Sequence, residues 1–217
     1  MATAREQLID WARMGRAVVH EADTKDILSQ AGVLIPRRDP ESGPCVVKLC
    51  SDQYPHKTEH GLVNLNISAI ESSAVAATLR QRGIPGTVIV EEMISDGVAE
   101  WIVGCRHDAT FGPIVIVGVG GILVELINEA KARLAPIDAI TALKAIRSQR
   151  ACKILDGVRG GPAGDIDALV AVVTTVSRFF AEYSEFIEQI EINPVIVRPV
   201  GRGAVAADAL MVLQPKP

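Results

Sequence analysis

Three polar residues lie in the closing stretch of the chain, 190–210, which otherwise has the apolar pattern of two buried strands. They are Glu191, Asn193 and Asp208. Side chains at i and i+2 share one face of a strand, so Glu191 and Asn193 point to the same side. Two carboxylates and an amide oxygen are ligands that Mg²⁺ accepts while it keeps water for a phosphate to displace. The alternative is a set of polar side chains on a solvated sheet face.

A hairpin would bring the third oxygen donor to the other two. The four residues 199–202, PVGR, can close a turn that pairs Arg198 with Gly203. Counting outward from this pair places Asn193 opposite Asp208, with Cβ atoms roughly 5 Å apart. A loop longer by one residue would break this register, so the magnesium hypothesis depends on the turn.

Two basic side chains stand at a polar, turn-rich segment, 51–61. Lys48 lies near the end of the apolar strand 45–49, just before this segment, and can reach a nucleotide phosphate as a point charge. His56 lies inside the segment and can act as a base or a phosphoryl acceptor. The simpler interpretations are a surface lysine whose ammonium group reaches water and a solvated loop histidine.

A glycine-rich turn joins a strand to a predicted helix in the segment 118–125, GVGGILVE. The glycines are Gly118, Gly120 and Gly121. Backbone N–H groups at such a turn can hold an anion, although the third glycine of a dinucleotide fingerprint is missing. The alternative is a tight turn that only needs glycine geometry. Arg159, in a loop before a helix, could also hold an anion, or this loop could be a plain connector.

The bulk composition excludes several classes of protein. The 217 residues are 48% hydrophobic, 22% charged and only 4% aromatic, which is typical of a globular α/β chain with an aliphatic core. The net charge of −4 argues against a sequence-independent nucleic-acid binder. The four cysteines lack C-x-x-C spacing, which favours reduced thiols in a cytoplasmic protein. The charged N-terminus does not resemble a signal peptide, and glycines within the most apolar run, 112–127, argue against a membrane span.

Alternating strand and helix patterns must position these side chains. Strands are expected at 45–49, 62–67, 87–94, 100–108 and 113–121, with two more in the closing stretch. Helices are expected at 3–15, 24–31, 122–130, 137–154 and 165–183, the last with Asp165 as its N-cap. A further helix follows the capping box Ser68–Glu71 and ends at Gly83. This mixture predicts an α/β or α+β fold.

Taken in order, five blocks of the sequence resemble one family. The blocks are VVKLCSDQYPHKTEHGLV, VIVEEMISDGVAEWIVGCRHDATFGPIVIVGVGGILVEL, RLAP, LDGVRGGPAGDID and IEINPVIV…VAADA. They are similar to the ATP-grasp domain of the NDP-forming acyl-CoA synthetases, of the ADP-forming acetate–CoA ligase type, in which this domain can be a separate β subunit. Succinyl-CoA synthetase β is a more distant relative. The resemblance covers about residues 45–213, and the segment 8–36 is similar to the family's lead-in helices.

The resemblance implies an ATP-grasp fold with two lobes. Residues 1–36 would form a helical lead-in, residues 37–86 the first lobe and residues 87–217 the second lobe. The family usually has a longer section with an extra helix before the VVK strand. Because only Arg37–Pro44 fills this section here, the first lobe is expected to be shortened.

The resemblance also assigns roles to individual residues. Lys48 would contact the ATP phosphates, and His56 would take part in phosphoryl transfer. Asn193 and Asp208 would be the Mg²⁺ ligands, with Glu191 beside them. Glu91, Glu92 and Met93 match the segment that lines the adenine and ribose, partly through backbone groups, and Glu100 follows it. Gly118, Gly120 and Gly121 match the family's glycine turn. Arg159, as a candidate anion binder, completes the expected nucleotide-binding set.

The reaction of the family is acyl-CoA + ADP + phosphate ⇌ carboxylic acid + CoA + ATP. The resemblance implies that this chain joins a phosphoryl group to ADP, or takes it from ATP, with Mg²⁺ as the cofactor. The phosphoryl group would be carried by a phosphohistidine of a separate α subunit, which would also bind CoA. A cytoplasmic hetero-oligomer of α and β subunits is expected, without nucleic-acid or membrane partners.

Two alternatives stay open. A regulatory or scaffolding subunit with a degenerate ATP-grasp site would explain the short first lobe. It would also explain two departures from the family's phosphate-side loop, Glu59 in place of aspartate and Leu62 in place of glycine. Retention of Lys48 and of the oxygen donors speaks against it. A stand-alone ATP-grasp ligase that joins an acid to an amine would need a substrate pocket within this chain, and the small first lobe leaves little room.

Overall fold

The computed structural model describes residues 3–54, 57–121, 129–158 and 160–215, which form two lobes built on antiparallel sheets. The helices are α1 (Ala4–Arg13), α2 (Glu21–Gln30), α3 (Ala69–Arg80), α4 (Ala139–Arg147) and α5 (Ile166–Glu182), with a 3₁₀ helix at Arg150–Asp156. The strands are β1 (Val18–Val19), β2 (Pro44–Cys50), β3 (Val63–Ser68), β4 (Thr87–Glu92), β5 (Ala99–Asp108), β6 (Gly112–Val119), β7 (Ala130–Leu134), β8 (Ile187–Val197), β9 (Ala204–Ala206) and β10 (Ala209–Leu213). Within these ranges, no helix combines the length and the apolar character that a bilayer span requires.

The larger sheet has seven strands in the order β1-β10-β8-β5-β6-β7, and β9 pairs with the second half of β8. Helix α5 lies across β5, β6 and β8, and its buried side chains include Leu169 and Phe180. Ile190 and Ile192 of β8 belong to the same core. Because side chains alternate along a strand, Glu191 between them faces the opposite side of the sheet. One face of this sheet is therefore covered by helices, and the other carries polar groups.

The smaller sheet has the order β3-β2-β4 and is covered by α3. Its core includes Val47, Leu49 and Leu62, so the side chain that replaces the family's usual glycine fills apolar space. The sequence assigned 87–217 to the second lobe, but β4 pairs along its whole length with β2. The chain therefore leaves the smaller sheet after Glu92. The three-part domain division and the shortening of the first lobe stay predictions.

Most predicted elements are present, with two differences. Residues 122–128 of the predicted helix 122–130 lie outside the described part of the chain. Its last residue, Ala130, instead begins β7, because it pairs with Gly118 of β6. The predicted helix 137–154 is divided, since Gln149 has an extended backbone and its side-chain amide donates to the carbonyls of neighbouring elements. A 3₁₀ helix follows this break.

Asp165 caps α5 as predicted and also ties this helix to the β8–β9 turn. Its Oδ1 accepts a hydrogen bond from the N–H of Ala168 at 3.1 Å. Its Oδ2 accepts from the N–H groups of Gly201 and Gly203 at 2.9 and 3.0 Å. A single carboxylate therefore fixes both the start of the helix and the loop that sets the hairpin register.

Replacing Asp165 by alanine should lower the free energy of unfolding by about 2–3 kcal/mol, because a cap and two further hydrogen bonds to a charged acceptor are lost. Asp138→Ala is the matched control, since Asp138 caps α4 through one bond from the N–H of Thr141 at 2.7 Å. The control substitution should lower the free energy of unfolding by about 1 kcal/mol. Urea unfolding measures both. Equal losses would show that the bonds to the turn contribute nothing.

Candidate functional site

The hairpin register places Asn193 opposite Asp208, which confirms the predicted pairing. The N–H of Arg198 donates to the carbonyl of Gly203 at 3.0 Å and closes the four-residue loop. Further along the hairpin, the N–H of Asn193 donates to the carbonyl of Asp208 at 3.2 Å. Glu191 shares the face of Asn193 on β8. The three predicted metal ligands thus lie together on the polar face of the larger sheet.

A cleft of about 260 Å³ opens where these three residues face the smaller lobe, and we call it the oxygen-donor cleft. The smaller lobe contributes Lys57, Thr58 and Glu59 to its wall. The ammonium group of Lys57 lies 3.0 Å from Oδ1 of Asp208. The cleft therefore combines carboxylate and amide oxygens from one lobe with a positive charge from the other.

The chemistry of Asp208 suits a bound cation. Burial, together with the nearby charge of Glu21, raises the pKa of Asp208 to about 6, although Lys57 and Lys48 act in the opposite direction. In the described ranges, no three acidic, cysteine or histidine side chains converge as a metal site. A hard cation here would thus also need the amide oxygen of Asn193, with phosphate and water completing its ligands. This donor set fits Mg²⁺ held together with a nucleotide.

A buried ion network joins the two lobes beside this cleft. It contains three lysines and three carboxylates, drawn from α2, the smaller sheet, the loop after β2 and the β9–β10 connection: Glu21, Lys25, Lys48, Lys57, Glu91 and Asp208. Apart from Asp208, each of them is at most 7% exposed. The opposite charges are equal in number, so the fully ionised network carries no net charge, as a buried set of ions requires. We call it the interlobe ion network.

Lys48 lies near the end of β2 and points into this network. Its Nζ lies 2.5 Å from Oε1 of Glu21 and 3.4 Å from Oε2 of Glu91, and it donates to the carbonyl of Ala207 at 2.7 Å. Burial alone would lower the pKa of Lys48, but Glu21, Glu91 and Asp208 raise it above its usual value. The ammonium group therefore stays charged. Direct contact with a phosphate stays a prediction, and it requires Lys48 to release one of these partners.

The predicted nucleotide segment at the end of β4 divides between two environments. Both carboxylate oxygens of Glu91 accept hydrogen bonds from Nζ of Lys25, at 2.8 and 2.6 Å, so this side chain belongs to the ion network. Glu92 accepts a hydrogen bond from Nε of Arg37 at 2.7 Å. The side chain of Met93 lines a second cleft. Any contact of Glu91 with a nucleotide would therefore run through its backbone.

This second cleft, of about 590 Å³, lies beside the second half of β8. It is lined by residues of the segment that joins β4 to β5, of the larger sheet and of the glycine turn after β6. These residues include Met93, Ile94, Glu100, Gly120, Gly121 and Ile196. The N–H of Gly120 donates to the carbonyl of Glu100 at 2.7 Å, and a Cβ atom at Gly120 would lie 2.9 Å from the backbone of Trp101. Gly121 has a φ of +64°, in the left-handed region that favours glycine. The turn therefore needs glycine at these positions. Gly118 instead pairs with Ala130 inside the sheet.

Two predicted site residues, His56 and Arg159, lie outside the described residues, so their roles stay predictions. Sequence reasoning in turn missed three members of the ion network: Glu21, Lys25 and Lys57. Glu21 and Lys25 are four residues apart on α2, a spacing that normally indicates an ion pair on a helix surface. Their complete burial was not readable from this spacing.

Comparison with known proteins identifies the sequence family of the chain. The sequence model of the ATP-grasp domain matches residues 10–213. The β subunit of the ADP-forming acetate–CoA ligase I of Pyrococcus furiosus is 35% identical, over 98% of this chain and 99% of that protein. The β subunit of ligase II from the same organism is 31% identical, over 92% of this chain and 93% of that protein.

Solved structures are similar over the same extent. The dinucleotide-forming acetyl-coenzyme A synthetase 1 of Ca. Korarchaeum cryptofilum, in complex with coenzyme A and Mg-AMPPCP, superposes with a TM-score of 0.85 at 29% identity, over 98% of this chain and 100% of that chain. A complex of the same protein with coenzyme A and Ca-AMPCP gives a TM-score of 0.86 at 29% identity and the same coverage. The chain therefore belongs to the family of ATP-grasp domains that includes the β subunits of ADP-forming acetate–CoA ligases.

Proposed function

We propose that this chain is the nucleotide-binding β subunit of an ADP-forming acyl-CoA synthetase. It transfers a phosphoryl group between ATP or ADP and a phosphohistidine of a separate α subunit. The complete enzyme thereby interconverts a carboxylic acid and CoA with the acyl-CoA. The observation that carries the proposal is the oxygen-donor cleft, where three oxygen donors of one lobe face Lys57 of the other. Similarity to β subunits over nearly the whole chain supports it.

The residues of the two clefts have separate tasks in this proposal. Asn193 and Asp208, with Glu191 beside them, would hold Mg²⁺, which when bound neutralises phosphate charge and orients the transferred group. Lys57 supplies positive charge at the edge of the oxygen-donor cleft. Lys48 supplies a second positive charge from the interlobe ion network beside this cleft. Such charges, fixed before the reaction begins, stabilise the transition state of phosphoryl transfer.

The second cleft would hold the nucleoside. Its apolar wall and the glycine turn leave room for a flat base beside Met93, with Glu100 at the rim. His56 would take part in the transfer, on the resemblance to the family. Arg159, in the loop before α5, would hold an anion such as a nucleotide phosphate. The α subunit would contribute the CoA site and the phosphohistidine segment. The four buried free cysteines fit a cytoplasmic location.

One observation favours a second candidate, a regulatory or scaffolding subunit that no longer binds nucleotide. All three lysines of the ion network already contact carboxylates, at 2.5–3.4 Å. A nucleotide must compete with these partners. This candidate predicts the same fold without magnesium-dependent binding of ADP or ATP, so a binding measurement separates the two functions.

The proposal is tested by reconstitution with the α subunit of the same organism. The mixed subunits should consume ADP and phosphate when an acyl-CoA is supplied, and should consume ATP when a carboxylic acid and CoA are supplied together. Each subunit alone should show neither activity. A complex that forms, yet turns over no nucleotide with a panel of short-chain and aromatic acids, would contradict the proposed function and favour the scaffolding subunit.

A further inference from the structure

Glu21 is the point at which the lysines of the interlobe ion network converge. Its Oε1 lies 2.8 Å from Nζ of Lys25 and 2.5 Å from Nζ of Lys48, and its Oε2 lies 3.2 Å from Nζ of Lys57. The residue is 1% exposed. Burial alone would raise the pKa of Glu21, but the three lysines hold it well below its usual range. The carboxylate is therefore ionised and bridges three ammonium groups.

The other two carboxylates of the network have narrower roles. Glu91 contacts Lys25 and Lys48, and Asp208 contacts Lys57. Glu21 is thus the member that connects both lysines of the smaller lobe to each other. It comes from the first turn of α2, in the lead-in that precedes both lobes, and α2 packs against β10 next to Asp208. A residue of the lead-in thereby reaches the wall between the two lobes.

A lysine side chain has four rotatable bonds and a compact charge, so its ammonium group samples many positions unless something holds it. Fixing it before the ligand arrives reduces the entropy lost on binding. One carboxylate that contacts both Lys48 and Lys57 limits the positions of both ammonium groups at once. The carbonyl of Ala207 and the carboxylate of Asp208 complete these contacts at the edge of the cleft.

We propose that Glu21 is a positioning residue of the nucleotide site, whose carboxylate holds the ammonium groups of Lys48 and Lys57 at the oxygen-donor cleft for a nucleotide phosphate. This inference rests on the proposed function and deepens it, because it adds the lead-in helix to the phosphate-binding machinery. A purely structural role, the balance of buried charge, would be served equally well by Glu91. The two carboxylates can therefore be compared directly.

Two double variants make this comparison at constant net charge. Glu21→Gln with Lys25→Met removes one negative and one positive charge, and leaves Lys48 and Lys57 without their common partner. Glu91→Gln with Lys25→Met removes the same charges but keeps Glu21. Mg-ADP is titrated by calorimetry into the full chain and into its complex with the α subunit, and thermal unfolding is recorded for each variant.

We expect similar melting temperatures for the two double variants, because both networks stay balanced. We expect the Glu21 double variant to bind Mg-ADP at least about 10-fold more weakly than the Glu91 double variant, the size that a lost hydrogen bond to a charged group produces. Equal affinities would overturn the inference, since any balanced network would then suffice. Lower stability of the Glu21 variant, in proportion to its lower affinity, would also overturn it.

Glu21→Asp provides an independent measurement, because it keeps the charge and shortens the side chain by one methylene. The aspartate cannot reach both lysines from the same backbone position, so affinity for Mg-ADP should fall several-fold while the protein stays folded. Wild-type affinity in this variant would contradict the inference. If the wild-type chain bound no Mg-ADP, either alone or in the α–β complex, the proposed function would fail and the inference with it.

Discussion

Replacing Lys48 by methionine should lower kcat/KM for nucleotide turnover by about 10³-fold in the reconstituted enzyme. Removal of a fixed charge or donor aimed at a developing charge has effects of this size. Methionine has nearly the same length, so the cleft keeps its shape while the positive charge behind it disappears. The wild-type ammonium group stays protonated because Glu21 and Glu91 offset the cost of burial. The loss should therefore reflect the charge and not a change in packing.

The same substitution should also destabilise the fold by about 3 kcal/mol, since it leaves an excess negative charge in a buried network. Lys25→Met is the matched control. Lys25 has the same two carboxylate partners as Lys48 and is fully buried, at 0% exposed. It should lose a similar amount of stability but much less activity, because it lies behind Lys48 and outside both clefts. Urea unfolding and steady-state kinetics of the two variants measure these effects.

Parallel losses of activity in the two variants would show that the network acts only through stability. A large loss in Lys48→Met combined with a small one in Lys25→Met would place the function in the lysine nearest the cleft. An active Lys48→Met enzyme would exclude Lys48 from phosphate binding and leave Lys57 as the described lysine at the cleft edge.

The juxtaposition of Glu191, Asn193 and Asp208 could be predicted from sequence because it depends on local rules. The alternation of β8 places Glu191 and Asn193 on one face, and the four-residue turn fixes the partner of Asn193. Asp165 strengthens this turn through Gly201 and Gly203, a contact that the sequence does not show. Register and strand alternation are properties of neighbouring residues, so a short stretch of sequence carries them.

The ion network could not be predicted because it depends on contacts between distant segments. Lys25 and Glu91 are 66 residues apart in sequence, and Lys48 and Ala207 are 159 apart. A lysine at the end of a strand gives no sign of whether it faces solvent, phosphate or a carboxylate. The packing of α2 against the larger sheet determines which partner Lys48 contacts, and the residue pattern of β2 does not indicate this packing.

The pairing of β4 with β2 could not be predicted for a related reason. Residues 87–92, TVIVEE, have the pattern of a buried strand in either lobe. Their hydrogen-bonded partner is β2, which lies roughly 40 residues earlier in the chain and pairs from Cys45 opposite Glu92 to Cys50 opposite Thr87. The break of the predicted helix at Gln149 likewise follows from its side-chain bonds to the carbonyls of Val117 and Ala145. Both features depend on tertiary partners that outweigh local preference.

Asp208→Asn should weaken magnesium-dependent binding of ADP by at least about 100-fold while leaving the metal-free chain as stable as wild type or more stable. The loss follows because a hard cation strongly prefers a carboxylate to an amide oxygen. The stability follows from the raised pKa of Asp208, about 6 against an ordinary value of 3.8. At pH 7.5 its ionisation therefore opposes folding, and a neutral amide avoids this cost. The substitution leaves one excess positive charge in the network, but this charge lies at the solvent-accessible end of the network, where water and counter-ions screen it. Partial exposure of 32% limits the gain to about 1 kcal/mol.

Glu191→Gln is the matched control for this prediction, because Glu191 lies on the same face and its Oε2 accepts a hydrogen bond from Gln189 at 3.3 Å. It should weaken magnesium-dependent binding by about 10-fold, as expected for a residue beside the metal ligands. Calorimetric titration of ADP with magnesium and with a chelator, together with urea unfolding, measures all three proteins. If Asp208→Asn lowered stability and kept magnesium-dependent binding, Asp208 would be a structural partner of Lys57. Loss of binding without loss of stability would instead assign the carboxylate of Asp208 to the metal. The fold disfavours the charged form of this side chain, so the carboxylate would then serve binding and not stability.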